Sequence, residues 1–196
     1  MIINRVKKIT DFRFLNLFCA EYRDKNDRDK QWIFASRSTR DNPIDNQPET
    51  PDAVVIVPFH QRRKELVLVK EFRVSLGGYQ YGFPAGLIDR GESIEQAGER
   101  ELFEETGLTI VRVIKKSPPV FSSSGLTDES VCLLFVECDG NPTDEYNRAS
   151  EEIEVVFLSI PAAKKILNDE TVKMDVKTWI VVDGFIAQSH FGSRKV

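Results

Sequence analysis

Residues 86–108 read GLIDRGESIEQAGERELFEETGL, and the organisation of the chain follows from them. Ser93 with Gln96 three residues later is a capping box, and Gly107 is a natural left-handed stop, so the spacing predicts a helix between them. On a wheel of ~100° per residue, Ile94, Ala97 and Gly98 fall on the same side as Glu101 and Glu105. Gln96, Glu99, Arg100 and Phe103 point outward. The inward face is apolar at its start and acidic at its end, so the acids point into the protein. Residues three and four apart are neighbours on a helix, which crowds Glu101, Glu104 and Glu105 together. Like charges at ~4 Å repel by about 1 kcal/mol in bulk water and by several times that near a partly buried surface. Water, an arginine or a cation must relieve such a cluster, and the stretch suggests a divalent metal site.

On either side of this helix the chain reads as strands. AVVIVPF (53–59) and ELVLVKEF (65–72) are strongly β and pair across HQRRK. LGGYQYGFPAGLID (76–89) reads as strand pieces broken by glycine and proline. Further strands are expected at about 109–116, 131–138 and 153–159, and helices at about 160–168 and 175–190. Near the N-terminus, FRFLNLF (12–18) and QWIFA (31–35) flank a charged turn, YRDKNDRDK. Residues 37–52, RSTRDNPIDNQPETPD, are polar and aperiodic, the best linker candidate. The fold class is therefore α+β, mostly antiparallel strands flanked by helices. The expected domains are 1–50, an N-terminal β appendage with linker, and 51–196, the domain that carries the acidic helix.

Composition narrows the function classes. A net charge of −4 without a basic run argues against nucleic acid. The N-terminal MIINRVKKIT lacks the apolar run of a signal peptide, and no apolar segment approaches the ~20 residues that span a bilayer. Cys19, Cys132 and Cys138 are odd in number and lack metal spacing; all three read as reduced core thiols of a cytoplasmic protein. His60 and His190 are far apart in sequence, so a metal would need oxygen ligands, which points to Mg²⁺ or Mn²⁺ rather than zinc.

The stretch fits G-x5-E-x7-R-E-U-x-E-E-x-G-U at every fixed position: Gly86, Glu92, Arg100, Glu101, Leu102, Glu104, Glu105, Gly107 and Leu108. This is the Nudix box, and the chain resembles the Nudix hydrolase superfamily. Hydrolysing a diphosphate builds negative charge on phosphoryl oxygens, and carboxylates on a rigid helix can hold the cations that offset it. Glycine at 86 has its own physical reason, since the missing Cβ lets backbone approach a ligand or ion closely. Upstream, Glu71-Phe72-Arg73 and Pro84 to Asp89 resemble the ADP-ribose pyrophosphatase and ADP-sugar pyrophosphatase branch. That resemblance implies that Arg73 contacts substrate phosphate. It also implies that the Ala85 carbonyl, Glu101 and Glu105 are metal ligands, that Glu104 shares a further ion, and that Arg100 orients a neighbouring glutamate.

The same resemblance extends to both ends of the chain. Trp32 and Arg37 have the spacing of an adenine-stacking aromatic and its arginine, and Phe14 stands where a first aromatic would fall. VFSSSGLTDES (120–130) is similar to a loop that borders the ribose side of the pocket, which brings in Gly125. RASEEIEVVFLSI (148–160) is similar to the segment that supplies a catalytic glutamate, matched by Glu151 with Glu152 as the alternative. Two departures stand out: Gly82 occupies a position where the family commonly has glutamate, and GNPTDEYNRAS (140–150) fits no substrate signature. The resemblance implies a Nudix α/β/α sandwich with a mixed sheet. It also implies Mg²⁺-dependent hydrolysis of ADP-ribose to AMP and ribose 5-phosphate, and a homodimer whose N-terminal strands build the adenine pocket. Rival expectations are another nucleoside-diphosphate-linked substrate, a non-catalytic ADP-ribose-binding module and a protein-interaction module with a relic site. The expected partner is thus a small-molecule nucleoside diphosphate sugar, with neither nucleic acid nor membrane.

Overall fold

A computed structural model of the chain describes residues 1–45, 50–147 and 152–191. Two compact units emerge, Met1–Ala53 with Pro118–Cys132, and Val54–Ser117 with Leu133–Val196.

In the first unit, β1 (Ile2–Lys8), β2 (Asn16–Arg23) and β3 (Asp29–Ser36) form an antiparallel sheet in that order. Strand alternation sends Phe18 and Ala20 of β2 to the same side as Phe34 of β3. The Phe18 and Phe34 rings stack at 5.8 Å, with Val6 and Ile44 packed around them. The strands run further into the charged segment than expected. Tyr22 pairs with Lys30 and Arg23 with Asp29. The turn shortens because the Asp24 carboxylate accepts the amides of Asn26 (2.8 Å) and Arg28 (3.0 Å) while Asp27 adopts a positive φ of 60°. Residues 12–15, by contrast, are not strand. The Asn16 side chain accepts the Phe12 N–H at 2.6 Å and donates to the Phe12 carbonyl at 2.8 Å, which closes a loop instead of extending a ladder. In the same unit β9 (Val120–Phe121) pairs with Ser130 and Val131, and the intervening loop is tied to β3 through the Ala35 amide and Leu126 carbonyl (2.8 Å).

The second unit is built on the strand order β11-β5-β4-β10-β8: β4 (Ala53–His60), β5 (Glu65–Arg73), β8 (Thr109–Lys116), β10 (Ser130–Asp139) and β11 (Ile153–Leu158). β6 (Gly78–Gly82) pairs with β5, and β7 (Ala85–Leu87) pairs with β4. The expected pairing of β4 with β5 is present, with Phe59 opposite Leu66. β11 on β5 and β8 on β10 are also antiparallel. β4 and β10 run in the same direction, since Asp52 N–H reaches the Ser130 carbonyl at their starts and Gln61 N–H reaches the Cys138 carbonyl at their ends, each at 3.0 Å. The sheet is therefore mixed.

Three helices accompany it among the described residues: α1 (Ile94–Thr106), α2 (Ile160–Leu167) and α3 (Val176–Phe191). α1 has the boundaries that its capping residues dictate. Ser93 and Gln96 satisfy one another's backbone amides, and Gly107 closes the helix at φ 72° with its amide on the Phe103 carbonyl. Its buried face, Ala97, Gly98, Glu101, Leu102 and Thr106, lies on Val54, Ile56, Leu134 and Val136. Phe59, of opposite parity to Ile56 on β4, meets Phe185 of α3 edge-on at 6.2 Å. The sheet is thus covered on both faces, an α+β sandwich of the expected kind. Cys132 and Cys138 are buried and Cys19 half-buried, and none of the three forms a disulfide among the described residues. No helix of the described residues is long and apolar enough to cross a membrane.

Gly98 is where α1 comes nearest β10, since a Cβ there would stand 2.4 Å from Leu134 Cδ2 in a fully buried layer. Gly98→Val should therefore overpack the core and cost about 1–3 kcal/mol. The measurement is the midpoint of chemical denaturation, and an unshifted midpoint would contradict this packing.

Candidate active site

β7 and the second half of α1 form the acidic end of the second unit. The two elements approach so closely at Gly86 that any Cβ would overlap the Glu101 carboxylate. Glu101 is 8% exposed, on the buried side of the helix as expected. Arg100, however, does not project outward. Its guanidinium folds back with Nε on Glu92 Oε1 (2.9 Å), Nη2 on Glu92 Oε2 (2.9 Å) and the Leu87 carbonyl (3.0 Å), and Nη1 on Glu101 Oε1 (2.5 Å). Glu104 Oε2 stands 3.9 Å from the same Nη1. A guanidinium presents its donors in a fixed fork, so one side chain can tie the loop before the helix, the end of β7 and the helix itself together. The geometric wheel missed this because it places Cβ atoms, not the ends of long side chains.

The charge balance is correspondingly tight. The Arg100 fork, helped by the Asp89 amide on Glu92 Oε2 at 3.0 Å, holds the Glu92 carboxyl below its ordinary value. Hydrogen bonds to Glu92, opposed by burial and supported by Glu101, raise Arg100 above the usual guanidinium range. The arginine therefore stays charged throughout the accessible pH range and relieves part of the repulsion among the acids.

The donor set at this end suits a hard divalent cation, since the Ala85 carbonyl and the Glu101, Glu104 and Glu105 carboxylates are all oxygen donors. Among the described residues no three acid, histidine or cysteine side chains converge on their own. The Gly86 backbone lets the Glu101 carboxylate press directly against β7, where any side chain would overlap it, and so brings that oxygen donor beside the Ala85–Gly86 backbone. Arg73 ends β5 at 48% side-chain exposure and pairs with Glu71 at 2.9 Å. Glu151 lies outside the described residues. Its neighbour Glu152 accepts a hydrogen bond from the Tyr79 hydroxyl, which the sequence did not single out. At Gly82 a Cβ would stand 3.7 Å from Asp175 Oδ2. Asp175 already serves α3, its Oδ1 accepting the amides of Lys177 (2.8 Å) and Thr178 (3.0 Å).

The other expected residues belong to the first unit. Trp32, Phe34 and Ser36 share a face of β3 by strand alternation. Trp32 is half exposed and walls a largely apolar cavity of ≈ 590 Å³ with Tyr22, Phe34, Ile44 and Phe121. Ser124 and Thr127, which flank Gly125 in the loop before β10, reach the same cavity. Arg37 lines a second, more polar cavity of ≈ 280 Å³ with Arg40, Asp52 and Glu129. Its Nε bonds Glu129 Oε1 at 3.2 Å. Phe14 is on neither wall. It is 69% exposed on the loop that Asn16 closes, under the Arg13 guanidinium at 4.8 Å. Asp128, which the sequence reading passed over, borders both cavities. An acid after a Ser/Gly turn carries no pattern that could have marked it.

Gly86→Ala should push the Glu101 carboxylate from its place and weaken divalent-ion binding by about 10–100-fold, the range seen when groups that support metal ligands are disturbed. Mn²⁺ titration followed by electron paramagnetic resonance reads this without turnover. Unchanged affinity in the folded variant would remove Glu101 from any ion site.

The chain is 30% identical to a Saccharomyces cerevisiae protein named ADP-ribose pyrophosphatase, over 95% of this chain and 83% of that protein. It is 28% identical to a Mus musculus protein named ADP-sugar pyrophosphatase, over 89% of this chain and 77% of that one. A crystal structure of an ADP compounds hydrolase superimposes with a TM-score of 0.71 across 95% of this chain and 94% of its own at 21% identity, a likeness of fold. Nudix hydrolases generally use divalent metals, which an all-oxygen donor set suits. With the NUDIX domain pattern matching residues 49–179 and the full box laid across β7 and α1, the chain belongs to the Nudix family of hydrolases.

Proposed function

We propose that the protein hydrolyses the diphosphate of ADP-ribose, or of closely related ADP-sugars, to AMP and ribose 5-phosphate, with Mg²⁺ as its working ion. The cavity walled by Trp32 carries the substrate class. It is apolar and aromatic, has the volume of a small-molecule site, and occurs in a chain that also has a complete Nudix box. The names of the yeast and mouse relatives, aligned over most of this chain, support the same reading.

In this reading the Ala85 carbonyl, Glu101, Glu104 and Glu105 hold the metal. A divalent cation there offsets charge developing on the diphosphate oxygens and makes an attacking water more acidic. Arg100 keeps Glu101 in place from the side of the helix. Arg73 binds phosphate through a guanidinium, the group best shaped for it. Trp32 stacks on the adenine, Arg37 and the loop around Gly125 border the nucleoside, and Glu151 takes the proton of the water. Phe14, exposed on its loop, takes the second aromatic role from across a homodimer. The exposed apolar side chains Ile2, Ile9, Phe12 and Ile33 of the first unit favour such an assembly. Three cysteines outside any disulfide favour a cytoplasmic setting.

A panel of nucleoside diphosphate compounds with product identification tests the activity. AMP and ribose 5-phosphate are expected from ADP-ribose, and equal rates on GDP-mannose or NADH would end the assignment. Glu105→Gln should lower turnover by about 10²-fold or more with the fold intact, since it removes a ligand while easing repulsion. Lost thermal stability with retained activity would instead make Glu105 structural. Trp32→Ala should raise KM for adenine-containing substrates about tenfold and change kcat less, because stacking acts on ground state and transition state alike. An unchanged KM would return Trp32 to a packing role.

A further inference from the structure

Asp128 stands on the common wall of the two cavities in the first unit. On one side is the apolar space beside Trp32 and Phe34; on the other is the polar space beside Arg37 and Arg40. We infer that Asp128 recognises the ribose hydroxyls of the nucleoside whose base stacks on Trp32, and so makes the site selective for ribonucleotides over deoxyribonucleotides. The inference rests on the proposed nucleoside role of the Trp32 cavity and adds to it a residue that reads the sugar.

Three observations carry it. The first is orientation. Ser36 is 1% exposed, and its hydroxyl oxygen accepts the Ser38 amide at 3.0 Å while donating to Asp128 Oδ2 at 2.8 Å. The amide fixes the direction of the hydroxyl proton, and the hydroxyl in turn fixes the carboxylate. An ionised carboxylate has about four lone-pair sites, and Ser36 takes one of them, so acceptor capacity remains on the cavity wall. The second is sign. An ionised carboxylate accepts and cannot donate, and Asp52 and Glu129 line the same polar cavity. A phosphate in that cavity would be drawn to Arg37 and Arg40 and repelled at Asp128 itself. The Watson–Crick edge of adenine would present its N1 acceptor beside its amine. The vicinal hydroxyls of a ribose can turn both of their O–H donors to a single carboxylate. The third is position. A nucleoside whose base lies in the apolar cavity turns its sugar toward the polar side, and Asp128 is at that junction. Burial raises the Asp128 carboxyl above its ordinary value, opposed by the Ser36 hydrogen bond. A desolvated acceptor of this kind gains most from a ligand donor.

The test is equilibrium binding of AMP, 2′-deoxy-AMP, 3′-deoxy-AMP and IMP to the full chain, with and without Asp128→Asn. The wild-type protein should bind AMP about tenfold more tightly than at least one of the deoxy forms, the loss expected when a hydrogen bond to a charged group is removed. Asp128→Asn should bring that ratio to within about twofold and leave the AMP-to-IMP ratio unchanged. Because burial disfavours the ionised carboxylate, the amide should leave the melting temperature at neutral pH unchanged or higher. Equal wild-type affinity for AMP and both deoxy forms overturns the inference, whether or not the variant folds. So does a deoxy discrimination that survives Asp128→Asn, or a variant that alters only the AMP-to-IMP ratio, since the acid would then read the base. Hydrolysis of ADP-ribose alongside any of these results sinks the Asp128 assignment alone. Failure of AMP to bind together with failure to cut ADP-ribose sinks the nucleoside reading of the cavity, and this assignment with it.

Discussion

One guanidinium holds the acidic end of the Nudix domain in register. Arg100 binds Glu92 through two nitrogens and reaches Glu101 and the Leu87 carbonyl with the same fork, and all of these bonds span 2.5–3.0 Å. The loop before α1, the end of β7 and the helix are fixed to one another through it. Without it, two partly desolvated carboxylates, Glu92 and Glu101, would lose the guanidinium that balances them, a costlier outcome than never having had the pair. The Gly86 backbone can press against Glu101 because this clamp sets where that carboxylate lies.

The second constraint is the capped helix. Ser93, Gln96 and Gly107 set its length, and the Gly98 contact with Leu134 sets its depth on the sheet. Together they determine that Glu101 emerges beside Ala85 and Gly86 rather than one turn away. The aromatic cavity of the first unit is independently organised beside the Phe18–Phe34 stack, with Phe34 on its wall. An acidic end suited to a cation and an aromatic space suited to a base are each organised within their own unit.

The helix of the second unit was legible because its signals are local. A capping box and a left-handed glycine act within four residues, and the pairing of β4 with β5 follows from two β-rich runs joined by a short polar turn. The limits of β2 were not legible, because they depend on Asn16 turning its amide onto Phe12 and on Asp24 gathering two backbone amides. Arg100 was read as outward because helical periodicity fixes only the start of a side chain. Asp128 escaped because its neighbours, Ser36 among them, are brought to it by the fold across 92 positions of sequence. Phe14 has the spacing of a stacking residue, but the loop that carries it leaves it away from the Trp32 cavity.

The most direct measurement is a crystal structure of the protein with ADP-ribose and a divalent ion that does not support turnover. The account predicts an ion coordinated by the Ala85 carbonyl, Glu101 and Glu105, Arg100 still clasping Glu92, and the adenine ring against Trp32. An ion held away from those three groups, or a diphosphate bound with no ion among them, would contradict it.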